Sequence, residues 1–204
     1  GLFFQGTMIP FLQVAIVFQL YQWLVPDASG SLNLYPIAAF LLSFVFVDYL
    51  YYWNHRLFHT PKLWFIHQVH HTVTEMDVLG TSRNTLWTSF FIVYLWIHPL
   101  FLYLLQEPRW YILGISLSSA LDLWRHSNFT PKLNSWVYCC LSPWLILPKD
   151  HGWHHSEECI KGNYGANLKF WDIIHGTYYK FENPPNSLGI NNSLSFTRKL
   201  FLPF

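Results

Sequence analysis

The chain has 204 residues, 52% apolar and 20% aromatic, with 12 Lys and Arg against 11 Asp and Glu, so that only 11% are charged. Soluble domains carry about a quarter of their residues as charges, and this composition therefore points to a membrane-embedded chain. A net charge of +1 offers no field to a phosphate backbone, and no basic stripe interleaved with aromatics occurs, which excludes nucleic acid as an expected partner.

In chain order, "GLFFQGT" (Gly1 to Thr7) reads as the remnant of a cleavable tag, with the natural sequence starting at Met8. Residues 8–204 are expected to form a single domain, since no internal repeat divides them. Four apolar stretches follow: Ile9 to Val25, Tyr35 to Trp53, Leu86 to Leu105 and Trp110 to Trp124. A bilayer crossing takes roughly 17 to 25 residues, so the second and third stretches qualify, the first is marginal and the fourth is short. Turn chemistry in "VPDASGS" and "QEPR" pairs them into two helical hairpins. Of the 12 Lys and Arg only Arg109 sits at a hairpin tip. The others lie between the hairpins or after the second one, which places those segments in the cytoplasm. Cys139, Cys140 and Cys159 form neither a metal-binding pair nor a disulfide framework. They read as reduced thiols, the adjacent pair being a candidate for palmitoylation.

The chain also carries 11 histidines, grouped in a way that packing alone does not ask for. In "HRLFH", His55 and His59 are at helical i, i+4 spacing. In "HQVHH", His67 stands over His70 and His71, and in "HGWHH" His151 stands over His154 and His155. His126, in "DLWRHSN", adds a further imidazole. Imidazole suits zinc, copper, iron and nickel, and one ion uses only a few such ligands, so the nine imply two ions. Without metal, so many clustered ring nitrogens would be short of partners. His98 has no partner at helical spacing and precedes Pro99, which favours a kink or an interhelical hydrogen bond over metal ligation. Asp48, Asp122 and Asp150 are candidates to accept the outer N–H of ligating histidines, with a helix N-cap as the alternative for Asp150.

The ordered series "DYLYYWNHRLFH", "HQVHH", "HSN", "HGWHH", "NYG" and "WDIIHGT", spanning Asp48 to Thr177, resembles the fatty acid hydroxylase and sterol desaturase superfamily of membrane di-iron oxygenases. The resemblance implies an all-α integral membrane protein: two transmembrane hairpins with a cytoplasmic helical cap that holds a histidine-rich dimetal site. It implies His55, His59, His67, His70, His71, His126, His151, His154 and His155 as ligands, supported from the C-terminal segment by Asn163, Tyr164 and Asp172, beside the spacing-based candidates Asp48 and Asp122. There are two departures. Thr130 stands where some acyl hydroxylases have a further histidine, which suggests an open coordination position. His175 stands where relatives have Phe, as an extra ligand, a substrate contact or a surface residue.

The expected function is hydroxylation or desaturation of a lipid by dioxygen, with two iron ions as cofactor. Zinc can fill the same ligands but cannot cycle its redox state. Since no dinucleotide fingerprint or carrier domain is fused, electrons are expected from a b-type cytochrome, or from a ferredoxin with its reductase. Arg83 and Asn84 are candidates to read a lipid head group. Trp153, with Tyr51, Tyr52, Trp53 and Trp64, is placed to hold its polar end or to form a membrane belt. Two other readings stand beside this one: a histidine-rich metal transporter or storage protein, and aldehyde deformylation on the same scaffold.

Overall fold

The computed structural model describes residues 7–158 and 161–201. Nearly all of the tag-like segment, and Cys159, lie outside the described residues. Among them no strand assembles into a sheet, and only isolated bridges such as Leu145 to Leu168 occur. The chain is helical: α1 Ile9–Leu24, α2 Pro36–Phe58, α3 Trp64–His67, α4 Thr88–Phe91, α5 Tyr94–Leu104, α6 Arg109–Arg125, α7 Trp136–Leu141, α8 Pro148–His154, α9 Phe170–Ile174 and α10 Phe196–Leu200. Cys139 and Cys140, on α7, are exposed free thiols.

Local chemistry explains the helix starts. Pro36 and Pro148 occupy first-turn positions of α2 and α8, where a missing N–H costs nothing. The Ser135 and Ser195 side chains accept first-turn amides of α7 and α10. Both α1 and α2 carry a π-helical turn, at Gln13–Val17 and Leu42–Phe46, which shifts the register of each helix face partway along.

Helix α2 is long and apolar enough to cross a membrane, and α1 and α5 are shorter apolar helices. The third apolar stretch departs from expectation. It is not one span but breaks between α4 and α5, where Ile92 is extended at φ −74° and ψ 126°. The Asn54 side chain bridges the break, donating from Nδ2 to the Phe91 carbonyl at 3.1 Å and accepting the Val93 amide on Oδ1 at 3.1 Å. One side-chain amide thus replaces the backbone partners that the interruption removes.

The strongest helix pairings run across the sequence pairs: α1 packs on α5, and α2 packs on α6. The two loop tips are laced together, with the Leu32 amide donating to Leu104 and the Gln106 amide donating to Leu32. His98 hydrogen-bonds Tyr111 across α5 and α6 at 3.0 Å, in line with the interhelical role expected of it. Apolar side chains such as Phe11, Val14, Ile37, Leu113 and Leu117 point outward, while the histidines are interior. This inside-out polarity is that of a membrane protein.

The α2–α6 crossing is close because Gly114 has no side chain. A Cβ there would lie 1.9 Å from Ser43 Oγ and 3.1 Å from the Phe40 carbonyl oxygen. Gly114→Val is expected to destabilise the protein by about 1 to 3 kcal/mol. Ser43→Gly should restore part of that loss in the double variant, as read by thermal unfolding in detergent.

Candidate metal centre

The boxes sit at helix ends. His55 is in the last turn of α2 and His59 caps it, His67 ends α3, His70 and His71 lie on the following turn, His126 caps α6, and α8 carries His151 and His154 with His155 at its cap. The nine imidazoles gather into two groups: His55, His59, His67, His71 and His154 in one, His70, His126, His151 and His155 in the other. In each group the nearest ligand atoms lie within 4.8 Å of one another.

No box of three serves one group alone. His67 and His71 go one way and His70 the other, and His151 and His155 go one way and His154 the other. Positions i and i+4 are about 40° apart around a helix, whereas successive residues diverge by about 100°. The doubled histidines at 70–71 and 154–155 therefore straddle the two groups. The groups are adjacent, with the His71 and His155 rings stacked at 4.4 Å and the His67 and His70 rings stacked at 4.8 Å.

The ring nitrogens test whether a metal fits. Three outer nitrogens reach backbone carbonyls: His55 Nδ1 to Tyr164 at 2.7 Å, His126 Nδ1 to Asp122 at 2.8 Å and His154 Nδ1 to Gly162 at 2.8 Å. Each such contact fixes the N–H on Nδ1 and leaves a lone pair on Nε2. Inward, Nε2 atoms face each other: His70 and His126 at 3.2 Å, His126 and His151 at 3.0 Å, His151 and His155 at 3.1 Å. Nε2 of His59, His71 and His154 has no partner among the described residues. Converging lone pairs satisfy one another poorly and suit a cation, so the two groups can hold metal ions.

Burial strengthens that readiness. Desolvation, with neighbouring imidazoles adding to it, holds His59, His67, His70, His71, His151 and His155 well below the ordinary histidine range. Burial likewise lowers His154 to about 4 and His126 to about 3. All are neutral near pH 7, the form that ligates metal.

The C-terminal segment braces the groups. Asp172 accepts the Tyr164 and Gly165 amides at 2.9 and 2.7 Å and the Thr177 hydroxyl at 2.7 Å. It thereby fixes the loop whose carbonyls hold His55 and His154. Asn163, at φ 54°, clamps Tyr179 through Oδ1 and Nδ2 at 2.8 and 3.1 Å. A Cβ on Gly162 would fall 2.2 Å from the Thr177 carbonyl oxygen, so this loop admits no side chain there.

Other expected residues stand elsewhere. Asp48 touches no histidine; its carboxylate is taken by the Asn167 and Leu168 amides at 2.9 and 3.2 Å and the Trp171 indole at 2.9 Å. Asp122 serves His126 through its backbone carbonyl, while its carboxylate pairs with Arg125. Asp150 is buried, not a solvated cap: it accepts the Leu147 amide at 3.2 Å and pairs with Lys169 at 3.0 Å. His175 joins neither group and packs between aromatic rings of α2, 5.1 Å from Tyr52 and 4.9 Å from Trp53. Trp153 stacks on Phe181 at 3.8 Å, and its indole N–H donates to the Asn183 carbonyl at 2.7 Å. Thr130 borders a separate hollow of about 420 Å³ with Gly152 and Met76.

A larger cavity of about 520 Å³ lies between α1, α5 and α6, lined by Ile92, Leu95, Ile115 and Leu123 and reaching His67, His70, His126 and His151. Asn84 lines it but Arg83 does not. Sequence reasoning missed Asn54, Arg125 and Asn167. Arg125 alone gave a signal, as a charge ending an apolar helix.

Fold and site together define a helical protein of membrane character with two adjacent histidine sites able to hold metal. The chain belongs to the fatty acid hydroxylase family, whose model matches residues 40–177. It is 33% identical over 174 residues to the ornithine lipid hydroxylase OlsE of Rhizobium tropici, covering 80% of this chain and 50% of that protein. It is 33% identical over 140 residues to the alkylglycerol monooxygenase of Danio rerio, covering 67% and 30%. The human alkylglycerol monooxygenase is 27% identical over 156 residues, covering 75% and 33%. The chain thus spans half or less of the length of these relatives. No solved structure matches it.

Two outcomes are expected. Histidines held neutral by the fold take up protons on unfolding below their ordinary value of 6.5. Metal-free protein should therefore have its full stability above about pH 6.5 and lose it progressively toward about pH 4, visible as a falling unfolding temperature. Asp172→Ala should loosen the carbonyls behind His55 and His154 and weaken metal affinity by about 10- to 100-fold in chelator competition.

Proposed function

We propose that the chain is the catalytic domain of a dioxygen-dependent lipid hydroxylase, residues 8–204 acting as one unit with one iron ion in each histidine group. The observation that carries this reading is the cavity between the helices, apolar along Ile92, Leu95, Ile115 and Leu123, whose wall includes three of the four histidines of the second group. A lipid tail fits such a wall. The second group has four imidazoles against five in the first, which leaves more room for a reactant on the cavity side.

Iron in both groups would supply the redox chemistry that splits dioxygen. In the balanced reaction, a C–H bond, dioxygen, two electrons and two protons give an alcohol and water. The electrons come from an external carrier, a b-type cytochrome or a ferredoxin with its reductase. The chain's own task is position and dryness. His55 and His154 are oriented by the 162–165 loop, and the apolar wall keeps water from the reacting carbon. The relatives' names, ornithine lipid hydroxylase and alkylglycerol monooxygenase, support a lipid as substrate. Two hairpins with the histidine boxes at the cytoplasmic face agree with the distribution of Lys and Arg.

The test supplies iron, a reducing partner and isotopically labelled dioxygen to the purified protein with a broad lipid extract. One labelled oxygen atom in a product means hydroxylation, and loss of two hydrogens means desaturation. His70→Ala and His154→Ala are expected to abolish turnover, with the helical content in detergent unchanged. No oxidised product, with iron loading and electron delivery verified, would favour metal storage or transport.

A further inference from the structure

The two histidine groups are held by different means. In the first, His55 and His154 are pinned from outside, each by an Nδ1 contact to a carbonyl of the 162–165 loop. In the second, His126 has such a contact, whereas Nδ1 of His70, His151 and His155 has no partner among the described residues. Those three imidazoles are aimed by the backbone that carries them. His151 and His155 stand one turn apart on one face of α8, so the setting of that single helix aims both.

A buried ion pair holds the first turn of α8. Asp150, one residue before His151, is 3% exposed, and Lys169 is 4% exposed. Asp150 Oδ2 accepts the Leu147 amide at 3.2 Å, at the start of the helix, and the Lys169 ammonium at 3.0 Å. Lys149, the other cation of this turn, goes to the Glu182 carbonyl at 3.4 Å. Lys169 is itself fixed: its ammonium donates to the Tyr178 hydroxyl at 2.9 Å, and its amide donates to the Trp144 carbonyl at 3.0 Å. Such a pair resists displacement, because either partner alone would be an uncompensated buried charge. The Asn163 side chain also reaches this turn, but at the Asp150 carbonyl and not its carboxylate.

We propose that Lys169, acting through Asp150, is a positioning residue for the second histidine group: the pair sets the first turn of α8, and with it the direction of His151 and His155 toward an ion in that group. The first group depends on it less. His154 is on the same helix but is pinned by the Gly162 carbonyl, and the loop behind it is held by Asp172. Each group thus has its own support, so its affinity for metal can be changed separately. This rests on the reading that each group holds an ion.

The test reads zinc affinity one group at a time, by chelator competition on the full chain in detergent. His59→Ala leaves the second group whole, and His155→Ala leaves the first whole. Lys169→Met should weaken zinc binding by about 10- to 100-fold in the His59→Ala background and leave it unchanged in the His155→Ala background, with helical content kept in both. Asp172→Ala should act in the opposite order, more strongly on the first group. If Lys169→Met does not fold, Lys169→Met with Asp150→Asn removes both buried charges and should give the same selective loss. Equal weakening in the two backgrounds, or none in either, would overturn the positioning role while the two-ion reading stands. Uptake of fewer than two zinc ions by the chain without substitutions would overturn that reading, and the proposal with it.

Discussion

The structure depends on nine imidazoles, eight buried and His59 partly so, whose inner nitrogens meet with few partners besides each other. Each buried polar atom left unpaired costs about 1 to 3 kcal/mol, so such a core has to be held together by other means until a cation fills it. Two things hold it. Outward ring nitrogens are fixed on backbone carbonyls at His55, His126 and His154, and the interior is sealed by helices whose apolar faces point outward. Those carbonyl contacts decide which nitrogen carries the proton, and hence that the free lone pairs converge.

Helix α2 links these two supports. Its upper part has the length and apolarity of a membrane span, and its lower turns carry His55 and, at the cap, His59. Between them Asp48 holds the 167–171 segment, Tyr52 meets the Thr177 hydroxyl at 2.9 Å, and Asn54 closes the break in the third apolar stretch. The C-terminal brace is thus tied to the same helix that supplies two of the histidines it helps to orient. Tilting α2 would move ligands and brace together, which keeps the site geometry independent of small shifts in the surrounding helices.

The break at Ile92 and the close crossing at Gly114 serve the cavity. Ile92 at the break and Leu95 just after it both line the cavity. On the opposite side α6 leans on α2 at Gly114 and presents Ile115, Ser118 and Ser119 to the same space. The wall is therefore apolar along Ile92, Leu95, Ile115 and Leu123 and ends against the histidines of the second group.

The sequence alone determined the helical class, the membrane character and the set of nine histidines, because hydropathy over a helix length and i, i+4 spacing are local quantities. It also set His98 apart from the ligands, as the source of a kink or an interhelical hydrogen bond, and the bond to Tyr111 is what the packing supplies. Only the tertiary structure decided which histidine joins which group, because the divergence at His70–His71 and His154–His155 acquires meaning only when four chain segments meet. The same holds where the local pattern and the packing differ. Asp48 shares a helix face with His55, yet its carboxylate is claimed by backbone amides more than a hundred residues away. His175 lies in a motif of the site and ends in an aromatic stack. The third apolar stretch has the composition of a span, yet it breaks at Ile92, and Asn54 of another helix satisfies the backbone on both sides of the break. In each case a long-range hydrogen bond or ring contact outweighed the local pattern, and such partners are fixed by packing, which no window of sequence contains.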